Sequence, residues 1–128
     1  MSDLKRVLLV DDEPDIQAIA KLSLEKVGGF QSLICSSGQE AIDCIAEFKP
    51  DIVLLDVMMP ELDGPHTLKK LQEQGLVNRI PVVFFTAKVL SSEVNELKEL
   101  GAEEVISKPF DPMTLPSQLE AIWSRINE

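Results

Sequence analysis

The chain has 128 residues, 45% of them apolar, which is one ordinary domain with enough apolar mass for a real core. Twenty-two acids against twelve Lys and Arg give a formal net charge of −10, which argues against a nucleic-acid or anionic-membrane surface and suits a small cationic partner. Cys35, Cys44 and a single histidine match no zinc pattern, and no run approaches the ~20 apolar residues of a membrane span, so free thiols and a cytoplasmic location are expected.

Five short apolar runs alternate with helix-length segments. Val7–Val10 is almost continuously apolar, as a strand covered on both faces should be, and runs into Asp11-Asp12. Pro14 to Val27 carries Ile16, Ile19, Ala20 and Leu24 at helical spacing, and Gly28-Gly29 supplies a left-handed stop. Phe30–Cys35 is mixed and suits a sheet edge. After "SSG", residues 39–48 carry Ala41, Ile42, Ile45 and Ala46. Ile52–Leu55 is a second continuous run and ends in Asp56, a carboxylate with apolar residues on both sides. A third helix is expected from Pro65 to Gln74, with Pro in its first turn, Gly64 in a left-handed position before it and Gly75 after it.

Val82–Phe85 is a third continuous run and ends in Thr86. Residues 91–100 carry Val94, Leu97 and Leu100, followed by Gly101. Glu104–Ser107, with only Val105 and Ile106 apolar, reads as another edge strand and ends in Lys108-Pro109. "DPMTLP" reads as a turn capped by Asp111 that feeds a last helix carrying Leu115, Leu119, Ile122 and Ile126. The order is (βα)5, which requires a parallel sheet with right-handed crossovers in a single α/β domain, residues 1–128.

The polar residues Asp11, Asp12, Asp56, Thr86 and Lys108 all fall at carboxyl ends of strands, where open α/β sheets form their ligand crevice. Taken singly, each has a plain structural alternative: helix N-caps for Asp11 and Asp12, a strand end for Thr86, a solvated lysine for Lys108. Asp56 is the hardest to explain that way, because burying an unpaired charge is costly. Three clustered carboxylates call for a cation, and oxygen-only ligands suit Mg²⁺, with Mn²⁺ as a second choice. A carboxylate beside such a metal can attack phosphorus, with the ammonium neutralising charge on the phosphoryl oxygens and the Thr86 hydroxyl donating to one of them.

"VLLVDDEP", "DIVLLDVMMPELDG", "FFTA" and "ISKPFDP", in this order, resemble the receiver domain of two-component response regulators, and the resemblance covers essentially the whole chain. It implies a doubly wound, flavodoxin-like sheet of order 2-1-3-4-5 with helices on both faces. It further implies Asp56 as phosphoacceptor, Asp12 as direct metal ligand with Asp11 acting through water, and the Met58 carbonyl as third ligand. Thr86 matches the switch hydroxyl, Ala87 a backbone phosphate contact, Lys108 the phosphate-contacting lysine and Pro109 a position that is usually cis. Met58 and Lys88 match positions that modulate dephosphorylation.

The implied partners are a histidine kinase or phosphotransfer protein and a protein target bound through the fourth helix, last strand and last helix; Trp123 reads first as core edge, with a partner or dimer contact there as the alternative. A monomer or a phosphorylation-dependent dimer is expected. So is a stand-alone receiver without an output domain, although a piece of a longer regulator fits as well. One departure stands out: Val105 occupies the position, three before the lysine, that often holds a switch aromatic. Two other readings stay open. A phosphatase with an aspartyl-phosphate intermediate would need an acid where Met58 stands, and a pseudo-receiver would bind partners without phosphorylation. His66 reads as an exposed residue at a helix start.

Overall fold

A computed structural model describes residues 3–87 and 90–127. The strands are β1 (Arg6–Val10), β2 (Gln31–Cys35), β3 (Ile52–Asp56), β4 (Val82–Thr86) and β5 (Glu104–Ser107). The helices are α1 (Pro14–Leu22), α2 (Gly38–Phe48), α3 (Gly64–Glu73), α4 (Ser91–Glu99) and α5 (Leu115–Ile126). All strand pairs are parallel and the order is β2-β1-β3-β4-β5, so both mixed runs are edges as expected.

The two-residue period of the strands divides the core into two layers. Val7, Leu9, Ile52, Leu54, Val83, Phe85 and Ile106 face α1, the turn that follows it and α5, where they meet Ala20, Leu24, Leu115, Leu119 and Ile122. Leu8, Val10, Val53, Leu55, Val82 and Phe84 face the other way and meet Ala41, Ile45, Leu68, Leu71 and Leu97 of α2, α3 and α4. The strands read as continuous apolar runs because each successive residue feeds one layer or the other. Each fully buried Leu or Val contributes roughly 1.5–3 kcal/mol relative to exposure.

Helix ends follow local chemistry. The Ser37 hydroxyl accepts from Glu40 N–H to start α2, and the Asp63 carboxylate accepts from His66 N–H to start α3. Asp111 accepts from Met113 N–H in the turn before α5, as read from the sequence.

Two local expectations need correcting. The segment expected as one helix from Pro14 to Val27 is α1 followed by a π-helical turn, Ser23–Val27. The wider turn buries both Ser23 and Leu24, and the Ser23 hydroxyl donates to the Pro112 carbonyl, tying α1 to the loop before α5. The left-handed residue after it is Gly29, with φ 71°, while Gly28 stays right-handed.

Gly64 is not left-handed either. It is the first residue of α3, and the positive φ in that loop belongs to Glu61. What excludes a side chain at Gly64 is proximity: a Cβ there would lie 2.3 Å from the Asp56 carbonyl oxygen and 2.9 Å from Val57 Cα. The Gly64 N–H also donates to the Val57 carbonyl, so the chain doubles back against the end of β3.

Candidate functional site

The strand order changes direction between β1 and β3, and the acidic residues gather at that switch point. β1 delivers Asp11 and Asp12, and β3 ends in Asp56. One ligand oxygen from each of the three lies within 4.8 Å of the others. Asp11 is fully buried, Asp56 is 3% exposed and Asp12 is half-buried. β4 brings the buried Thr86 alongside, since Asp56 is in register with Phe85. The Lys108 N–H donates to the Thr86 carbonyl, and its side chain reaches back over the Phe85 ring, 5.0 Å from the centroid.

The Lys108 ammonium sits 2.8 Å from Asp11 Oδ2, 3.2 Å from Asp56 Oδ1 and 3.3 Å from Glu13 Oε1. Asp11 Oδ1 accepts from the Glu13 N–H at 2.8 Å, while its buried Oδ2 has the Lys108 ion pair and no hydrogen bond. Asp56 is engaged at one oxygen. Its Oδ1 takes Lys108 and a long contact from the Met58 N–H at 3.4 Å, while the buried Oδ2 has no hydrogen-bond partner.

Electrostatics follow from this crowding. Burial pushes the Asp56 carboxyl up to about 6, Asp11 adds to the rise, and Lys108 offsets part of it. Burial disfavours the Lys108 charge, but its contacts to Asp11 and Asp56 outweigh that and hold it above the usual lysine range. Three acids, Asp11, Glu13 and Asp56, share one ammonium, with Asp12 beside them. An unpartnered buried carboxylate oxygen beside two further carboxylates is a donor set that fits a divalent cation of the hard, oxygen-seeking kind.

The sequence-predicted residues sort clearly. Asp11, Asp12, Asp56, Thr86 and Lys108 come together at one rim. Ala87 directly follows Thr86, Met58 follows the end of β3 with its side chain exposed, and the Lys108–Pro109 peptide is cis. Lys88 lies outside the described residues. Val105 is half-buried in the α2–α4 layer, and Trp123 packs half-buried against the α1–α5 layer, so neither joins the rim.

Glu13 was not anticipated. It is the N-cap residue of α1, and only the fold brings Lys108 to it. His66 is exposed and bonds Asp63, as a helix-start residue should. Cys35 and Cys44 are free, and burial pushes the Cys35 thiol up to about 12. No helix is long and apolar enough to cross a membrane among the described residues.

Comparison with known proteins agrees with this geometry. The chain is 36% identical over 121 residues to the alkaline phosphatase synthesis transcriptional regulatory protein PhoP of Bacillus subtilis, covering 94% of this chain and 49% of that protein. It is also 36% identical over 122 residues to the response regulator Rre1 of Synechocystis, covering 95% and 51%. The chain therefore spans about half the length of the curated relatives it matches. Among solved structures, the Vibrio cholerae chemotaxis protein CheY4 superimposes with a TM-score of 0.86 at 27% identity, covering 93% of this chain and 98% of that one. The family model of the response regulator receiver domain matches residues 7–120, and with the acidic pocket at the sheet's switch point the chain belongs to that family.

Proposed function

We propose that Asp56 accepts a phosphoryl group from a histidine kinase or phosphotransfer protein in a Mg²⁺-dependent reaction, and that the phosphorylated form changes its affinity for a protein target. The observation that carries this reading is the Asp56 carboxylate itself. It is buried at the end of β3, ion-paired through one oxygen and unpartnered at the other. An acid with a pKa of about 6 is mostly ionised at neutral pH, which a nucleophile requires.

Asp12 and Asp56 with the Met58 carbonyl, and Asp11 through water, would hold the metal. Bound Mg²⁺ supplies positive charge for the transferring phosphoryl oxygens. The chain's own groups do the rest. An Asp56 oxygen forms the new bond to phosphorus as the bond from phosphorus to the donor imidazole nitrogen breaks, leaving an acyl phosphate. Lys108, held at the rim by Asp11, neutralises charge on a phosphoryl oxygen. The Thr86 hydroxyl and the Ala87 N–H, at the end of β4, would donate to the phosphoryl oxygens.

The site belongs in the cytoplasm with its donors, and the chain acts as a monomer or a phosphorylation-dependent dimer, with no direct nucleic-acid contact of its own. The family resemblance puts the target surface on α4, β5 and α5, around Trp123. On that surface Glu104 already bridges Lys98 at 3.2 Å and Arg125 at 3.1 Å. Incubation with acetyl phosphate and Mg²⁺ tests the reading: intact mass should show one phosphate adduct. The reading fails if no adduct forms, or if Asp56→Asn retains it.

A further inference from the structure

The structure points to a different output surface from the one the family resemblance suggests. A groove of about 460 Å³ opens between the start of α3 and α4. Val57, Met58, Pro65, Leu97 and Leu100 make it apolar, and the buried Thr86 forms part of its wall. A second groove of about 410 Å³ shares Pro65 and Leu100 with it, so the furrow continues along α3. Met58 is 68% exposed and Leu100 is 48% exposed, large apolar surfaces that nothing among the described residues covers.

The rim is acidic. Glu93 and Glu96 of α4 line the first groove, and neither forms an ion pair among the described residues. By contrast, the charges of the α4–β5–α5 face are closed on one another through Glu104, and Val105 offers no aromatic ring to report on Thr86.

We propose that this α3–α4 groove binds a short amphipathic helix of a partner protein, with apolar anchors for the floor and Lys or Arg for the Glu93–Glu96 rim, and that its affinity is linked to the state of Asp56. Helices commonly dock their apolar face into such furrows, and a methionine-lined wall adapts to the anchor. Charge complementarity selects the basic partner: an acidic helix would meet Glu93 and Glu96 at close range. The linkage follows from shared walls. Met58, whose N–H contacts Asp56 Oδ1, and Thr86, which lies beside Asp56 on β4, both face the groove. A change at Asp56 that moves either residue alters the groove, and by thermodynamic reciprocity an occupant alters the site.

The proposal rests on the phosphoacceptor reading for its linkage and on the groove alone for its binding. The probe is a fluorescein-labelled model helix with leucines at i, i+3, i+4 and i+7 and lysines elsewhere, compared with the same helix carrying glutamates for lysines. Anisotropy on the full chain should show that the lysine helix binds and the glutamate helix does not. Treatment with Mg²⁺ and beryllofluoride should change the affinity by about threefold or more. Glu93→Lys with Glu96→Lys should weaken binding by about tenfold or more. The charge-matched pair Glu47→Lys with Glu120→Lys, on exposed faces of α2 and α5, should leave binding near the wild-type value.

Equal loss in both double variants, or equal binding of the two helices, overturns the groove. Unchanged affinity under beryllofluoride overturns the linkage. Acetyl phosphate labelling of the wild type is followed in parallel: an adduct without helix binding sinks the groove alone. No adduct sinks the phosphoacceptor reading, while the two double variants still decide the groove.

Discussion

Replacing Asp56 by Asn should make the metal-free protein more stable. Asn keeps the shape of a protonated carboxyl and removes the charge that the fold strains to hold. Asp56 goes from 3.8 to about 6 on burial beside Asp11, which at ~1.36 kcal/mol per unit is a cost of about 3 kcal/mol for keeping it ionised in the fold. The Lys108 contact is already included in that figure, since it lowers the pKa and so reduces the rise. In a domain of this size such a gain corresponds to about 10 °C in Tm.

The sign fixes the pH dependence. The folded state binds more protons than the unfolded state between 3.8 and about 6, so wild-type stability from this group is full at low pH and is lost as pH rises through about 6. The Asn variant lacks that term. Its advantage should be absent near pH ~4, open across the next two or so units and stay level above about 7. The assay is thermal unfolding of both proteins in chelator across that range, repeated with Mg²⁺. Added Mg²⁺ should raise the wild type more than the variant and narrow the gap, because a cation that binds only the folded acids stabilises them by mass action. Equal Tm values at about pH 8 in chelator, or a variant less stable than wild type there, would refute the reasoning.

Lys108→Met should slow acetyl phosphate labelling by about a hundredfold or more while Mg²⁺ binding by calorimetry persists, because the variant loses phosphoryl charge neutralisation and keeps the acids. Gly64→Ala should cost about 1–3 kcal/mol in urea unfolding, since its Cβ would press on the Asp56 carbonyl, and should also distort the acceptor and slow labelling. Glu104→Gln should remove a stabilising contribution that is present above the ordinary carboxylate range and lost as pH falls. Burial works against the Glu104 charge, but the Val105 N–H, Arg125 and Lys98 hold its pKa below normal, so wild type and variant should converge in Tm only at acid pH.

The strands were legible because their physical demand is local. A strand covered on both faces needs apolar residues at both parities, and "VLLV", "IVLL" and "VVFF" satisfy that outright. Helix existence was legible for the same reason, from the spacing of Ala41 and Ile45 or of Leu115, Leu119 and Ile122. The misread details depend on distant residues. The π-helical turn at Ser23 matches a hydrogen bond to Pro112, 89 positions away, which no periodicity records. Gly64 looked like a turn glycine, but it is constrained by the back of β3. Sequence shows a glycine's freedom in φ and hides what would collide with its side chain.

The site was legible in outline because strand ends are predictable and polar residues there are conspicuous. The sequence does not show which carboxylate oxygen is left over. Asp11 is the more buried acid, yet each of its oxygens has a neighbour: Oδ1 accepts from the Glu13 N–H, and Oδ2, though without a hydrogen bond, is ion-paired with Lys108. Asp56 keeps Oδ2 unpartnered because Lys108 is shared and lies nearer to Asp11. Glu13 draws the same ammonium outward on the exposed side. One cation divided among three acids leaves each under-neutralised, and the deficit is largest where burial has already raised the pKa. That imbalance makes Asp56 rather than Asp11 the group that a metal and then a phosphoryl group can relieve. The same rim shares Met58 and Thr86 with the α3–α4 groove, so relief at Asp56 has a direct structural path to a binding surface that does not pass through Val105.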